Sequence, residues 1–209
     1  METVIVKPAR QRGEILFVSI SSLLILLCAG LLIIGRSKGA TQQKLRWYQI
    51  SAFSSLPSEA QGIFMDLYTG GFDIEMYHRQ NAETWPDIQT LEANLISPFE
   101  KNVVWQQRGR IQWTLAVMDK GTVHRAAYIG ATSDTSVCGS FILYLEHYHT
   151  ADGAYFSGIN RKTPFNIWYK AGALPKAPKD FSEGTLIAEG WREAIPYRGA
   201  DELTKLKRL

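Results

Sequence analysis

The chain has 209 residues, 45% of them hydrophobic, and a net charge of +3 from 23 basic and 20 acidic side chains. That is room for one domain of ordinary size beside a membrane segment. Neither sign of charge is gathered into the basic stripe that nucleic acid requires, and 6 tryptophans, 9 tyrosines and 9 phenylalanines argue against a disordered chain.

The first predicted element is a membrane span. "ILFVSISSLLILLCAGLLII", residues 15–34, holds no charge. At about 1.5 Å per residue it covers the roughly 30 Å hydrocarbon core. The run exceeds the apolar region of a cleaved signal peptide, which spans about 7–15 residues, and Arg36 and Lys38 follow it. Leu27 before Cys28 does not suit a lipoprotein signal. The reading is an uncleaved anchor. Lys7, Arg10 and Arg12 precede the span and Arg36, Lys38, Lys44 and Arg46 follow it, so charge does not decide the orientation. A short basic N-terminus before a first span usually stays inside. The expected layout is a cytoplasmic segment 1–14, a transmembrane helix 15–35, and a periplasmic domain 36–209, attached to the bacterial inner membrane in a single pass.

Within that domain, helices come first. "TQQKLRWYQISAFSSL" (41–56) has roughly helical apolar spacing and reads as a stalk continuing from the anchor. After Pro57, Ser58 is a candidate N-cap with Glu59 in the first turn. Ile63, Phe64, Leu67, Ile74 and Tyr77 then form an apolar stripe, with Gly70-Gly71 predicting a kink or a break. "TWPDIQTLEANLISPF" (84–99) reads as a helix capped by Thr84 and ended by Pro98. The period then changes to two. Residues 110–131 predict a hairpin turning at Asp119-Lys120-Gly121. Strands follow at 140–149, in "AYFSGI" and in "FNIWYK", with Asp152-Gly153 as a turn. Residues 172–180 read as a surface loop, 184–195 as a last strand, and 199–209 as a terminal helix with acids first and bases last. Helical 40–99 followed by mainly β 103–195 makes the class α+β, with an antiparallel sheet.

Two cysteines, Cys28 inside the apolar run and Cys138, supply no disulfide framework. Cys138 beside a histidine is a candidate nucleophile, although its apolar setting favours an inert thiol. There is no P-loop, no G-x-G-x-x-G after a strand, no H-E-x-x-H, no C-x-x-C and no G-x-S-x-G. The expectation is therefore that the protein is not an enzyme.

"LEHYH" (145–149) carries the most specific chemistry. In a strand of period two, His147 and His149 share a face, and two imidazoles on one face are half of a transition-metal site. Histidines at a strand end also sit at solvated rims without a ligand. Further ligands would be Asp152 in the following turn, His124 on a neighbouring strand and His78 from the helical part, with Cys138 for a softer metal. No cofactor is expected beyond a divalent metal ion at this place. Aromatic–arginine clusters are the second signal. Trp47, Trp168, Trp191, Arg192, Tyr197 and Arg198 are candidate partner-binding residues, because large amphipathic rings and guanidinium forks favour interfaces. Trp168 and Trp191 serve equally well as core residues, and Trp47 as an anchor at the membrane interface.

The span, "WYQISAFSSLPSEAQGIFMDL" (47–67) and "AEGWREAIPYRGADEL" (188–203) resemble an uncharacterised bacterial family of single-span inner-membrane proteins, known as a domain of unknown function. The resemblance covers most of the chain in layout, and it carries no catalytic residues. It implies an association with PepSY-type membrane reductases and metal ABC transporters, one branch belonging with the release of iron from pyoverdine-type siderophores. The leading expectation is an accessory protein of periplasmic metal or ferri-siderophore uptake and reduction, acting by protein–protein contact. The alternative is a periplasmic metal-binding module or metallochaperone using His147 and His149.

Overall fold

The computed structural model describes residues 11–38, 45–149, 155–157, 163–174 and 176–196. The chain divides into two units, residues 1–43 and 44–209. In the first, helix α1 runs Gln11–Lys38. Its described side chains cover residues 16–32, where Leu16, Phe17, Leu26 and Leu32 are exposed. Among the described residues no helix is long and apolar enough to cross a membrane.

The second unit is a mixed sheet with helices on it. Its elements are β1 (Gln49–Ser51), α2 (Ala52–Ser55), α3 (Ser58–Gln80), α4 (Ile88–Ala93), α5 (Val103–Gln107), β2 (Gln112–Val117), β3 (Val123–Ala131), β4 (Ser140–His149), β5 (Tyr155–Ser157), β6 (Phe165–Lys170), α6 (Glu183–Ala188) and β7 (Arg192–Ile195). The strand order is β1-β7-β6-β4-β3-β2, with β5 continuing the pairing of β4 beyond β6. All pairs are antiparallel except β1 with β7. The predicted hairpin and the strand at 140–149 stand where the alternation put them, and so do the strands in "AYFSGI" and "FNIWYK".

Other boundaries moved. The stalk helix expected at 41–56 is a strand and a short helix in its described part. Ile50 lies opposite Ala194 in a parallel pairing that joins the two ends of the domain, and such a distant partner overrides local helical spacing. The last predicted strand, 184–195, begins instead as α6, whose Ser182 side chain accepts from the backbone of Thr185. Thr84 does not cap a helix. Asp87 does, accepting from Thr90 N at 2.7 Å, so the chain stays non-helical through Pro86. Ser58 is the first residue of α3 rather than its cap. The α5 turn interrupts what the period suggested was β territory. The Asp152-Gly153 turn and the terminal helix at 199–209 lie outside the described residues.

Helix α3 runs through Gly70 and Gly71 as one element. The glycines serve close approach. A Cβ on Gly71 would lie 2.7 Å from the Phe165 ring, and one on Gly70 the same distance from Ser97 O. They let the helix lie against the sheet, where Ile63, Phe64, Leu67 and Ile74 are buried with Tyr128, Phe141, Leu143, Leu145 and Phe165. Each such side chain contributes roughly 1.5–3 kcal/mol on burial. The opposite sheet face carries Ala127, Ile129, Ile142 and Trp168, covered by Tyr48, Leu186 and Trp191. This overturns the reading of two candidate interface residues, since Trp168 is 3% exposed and Trp191 fully buried. Both rings fill the second core, where their apolar area is already out of water.

Candidate metal centre

His124 and His147 stand directly opposite one another in the β3–β4 ladder. Residues paired in this way have Cβ atoms about 4.5–5.5 Å apart on one face, the face that α3 covers. The last turn of α3 brings His78 onto the same spot. Its Nε2 lies 3.0 Å from His147 Nε2, near the edge of about 3.3 Å that two nitrogens share on a tetrahedral ion with bonds of roughly 2.0–2.1 Å. One nitrogen from each of His78, His124 and His147 falls within 4.8 Å of the others. Among the described residues these three form the only such group.

The surroundings favour a neutral His78 imidazole. His78 is fully buried and His147 is 1% exposed. Burial first, and the neighbouring His147 second, bring His78 down to about 4 against the opposing effects of Glu75 and the Thr84 backbone. At neutral pH its ring is uncharged, the form that ligates metals. Trp85 stacks on His78 with centroids 3.6 Å apart and planes 8° from parallel. Its Nε1 donates to Asp119 Oδ1 at 3.3 Å, which ties this wall to the β2–β3 turn.

Carboxylates stand behind the rings. Glu75, 4% exposed, precedes His78 by one helical turn and places Oε1 3.8 Å from His147 Nδ1. Arg79 meets the same oxygen at 3.3 Å. A carboxylate on the far nitrogen of a ligating histidine fixes its tautomer and raises its basicity. His124 has two acids beside it, with Glu83 Oε2 3.3 Å from Nε2 and Asp119 Oδ2 3.7 Å from Nδ1.

Of the residues singled out in the sequence, His147, His124 and His78 come together. His149 is a strand residue opposite Tyr155, and its side chain lies outside the described residues, as does the whole of Asp152. Cys138 is no part of the centre. It is buried beside Gly109, and burial pushes its thiol up to about 12, which removes the thiolate needed for metal binding or attack. Iodoacetamide at about pH 8 therefore labels Cys138 only after unfolding, as peptide mapping will show; rapid labelling of the folded protein would refute the buried setting. Glu75, Glu83 and Trp85 went unread in the sequence. The E-x-x-H spacing of Glu75 and His78 is the one local sign, because three residues on a helix share a face.

A family model described as a family of unknown function, DUF6162, matches residues 50–199. The chain belongs to this family. The matched stretch holds all three histidines and all three flanking acids of the DUF6162 domain, while the uncharged run at 15–34 lies outside it. No curated protein and no solved structure matches the chain.

Of the candidate partner-binding residues, Trp47 is 74% exposed. The Arg192 guanidinium lies over its ring, 5.5 Å from the centroid, and that pair sits at the β1–β7 edge of the sheet. Tyr197 and Arg198 lie outside the described residues.

Proposed function

We propose that this protein is a non-catalytic binding module for a divalent first-row metal ion, held by His78, His124 and His147. The observation that carries the reading is the convergence of three imidazoles from a helix and two strands, two of them buried. Burying polar rings costs stability unless they are paired, and an ion shared among the three would add to the 3.0 Å contact between His78 and His147. Nitrogen donors with carboxylates behind them suit Zn²⁺, Cu²⁺ or Fe²⁺ and do not suit the all-oxygen preference of Ca²⁺ or Mg²⁺. With Cys138 elsewhere, no sulfur ligand among the described residues joins the group.

The test is a titration of the untagged, detergent-solubilised full chain with Zn²⁺, Cu²⁺ and Fe²⁺. One-to-one binding that disappears in His147→Ala supports the site. Glu75→Gln lowers affinity by about 10–100-fold if the acid orients His147. Binding that survives the loss of both His78 and His147 would sink the reading.

The anchor and its setting belong to the same proposal. The uncharged run at 15–34 within a helix of 28 residues supports a single-pass attachment to the bacterial inner membrane, with the metal module in the periplasm. A second reading, docking onto a PepSY-type reductase or an ABC-transporter component of metal or ferri-siderophore uptake, is favoured by the exposed Trp47 stacked under Arg192. Recovery of such a membrane partner in mild detergent, lost in Trp47→Ala/Arg192→Ala, would support it. Repeated recovery of the protein alone would count against it.

A further inference from the structure

We propose that the metal enters and leaves on the His124 side, past a mouth formed by Glu83 and Asp119, so that the centre exchanges its ion rather than keeping it as a permanent brace. The inference rests on the metal-site reading above and adds the route and the residues that serve it.

Exposure is graded across the site. His78 and His147 are 0% and 1% exposed, and Trp85 walls off the His78 ring. His124 is 18% exposed, and the two acids flanking it are 42% for Glu83 and 36% for Asp119. Of the three rings, His124 is therefore the one nearest to solvent. Structural metal sites are closed by four protein ligands, whereas sites that must admit something keep a position open. Among the described residues the group is three nitrogens, and the oxygens of Glu83 and Asp119 stand outside it. Two partly exposed carboxylates beside an otherwise buried cluster concentrate cations there and accelerate their arrival. They can also take the place of water around an ion on its way to the imidazoles.

The backbone holds these acids where they are. Ala82 and Glu83 both adopt positive φ, 49° and 59°, a conformation that costs roughly 1–2 kcal/mol for a residue with a side chain. The turn directs the chain from α3 back past His124. Asp119 Oδ1 accepts from Arg125 N at 2.8 Å as well as from Trp85, leaving Oδ2 on the His124 side. Of the nearby cations, Arg79 meets Glu75, and Lys120 lies in the β2–β3 turn beside Asp119.

The experiment is stopped-flow mixing of the full-length, untagged protein with Zn²⁺ or Co²⁺, in wild type and in Glu83→Gln, Asp119→Asn and the double variant. Asparagine keeps the acceptor that Arg125 and Trp85 use, and Glu83→Gln alone tests the route should the hairpin suffer. The double variant is expected to keep one-to-one, His147-dependent binding with the Co²⁺ spectrum of the same coordination, its affinity lowered by no more than the roughly 10–100-fold that carboxylates beside a ligating histidine are worth. Its association rate should fall about tenfold or more at low salt, with the gap closing as salt rises. An unchanged association rate with intact binding would overturn the mouth and leave the three-histidine site standing. An altered Co²⁺ spectrum, or loss of binding in a folded variant, would also overturn it, by making the acids resident ligands. Failure of the wild type to bind either metal would overturn both readings.

Discussion

A metal ion supplied at a hundredfold its dissociation constant is expected to stabilise the folded protein by about 2.7 kcal/mol, because it binds the assembled site and has no equivalent in the unfolded chain. For a domain of this size that moves the unfolding midpoint by roughly 5–10 °C. His78→Ala and His147→Ala should each remove the shift. Losing a ligand costs more than the roughly 10–100-fold that an outer carboxylate is worth. His149→Ala is the informative control, since a full shift in that variant confines the site to His78, His124 and His147. Thermal unfolding with and without Zn²⁺ or Cu²⁺ reads all four proteins. A shift that persists without His78 and His147 would place the ion elsewhere.

The second large effect concerns Trp191. Trp191→Ala should cost about 3–5 kcal/mol, the usual penalty for emptying a large buried aromatic site. The ring is fully buried among Tyr48, Leu186 and Trp168. It is delivered there by the end of α6, where Gly190 takes φ +88° and Trp191 N donates to Leu186 O at 2.9 Å. Left-handed backbone suits glycine at that position. The contrast is Trp47→Ala, at 74% exposure, which should change stability by no more than about 0.5 kcal/mol. Denaturant unfolding separates the two. A Trp191→Ala protein of unaltered stability would return this residue to the list of interface candidates.

These two residues show where sequence reading stops. Trp47, Trp168 and Trp191 all stand beside another aromatic or a basic residue, and composition gives them one likeness. Which of them faces water depends on what covers the far side of the sheet, and that cover comes from α6 and Tyr48, distant in the chain. The β1–β7 pairing is the same case. "YQISAF" has helical spacing locally, yet its Gln49–Ser51 is drawn into a strand by residues 193–195. Local preference is weak against a partner that satisfies a row of backbone groups.

The site divides along the same line. Alternation placed His147 in a strand, and the hairpin turn at Asp119 set a second strand carrying His124; these are period-two facts, written in neighbouring residues. The sequence by itself determined the α+β order, the uncharged run at 15–34, the β2–β3 hairpin and β4. Only the tertiary structure decided that His124 stands opposite His147, that His78 comes within 3.0 Å of it, and that Glu75, Glu83 and Trp85 lie beside the three. The reason is packing. The place where a helix lands on a sheet is chosen by the whole buried stripe from Ile63 to Ile74 and by Gly71, which admits Phe165, and no short stretch of the chain contains that information.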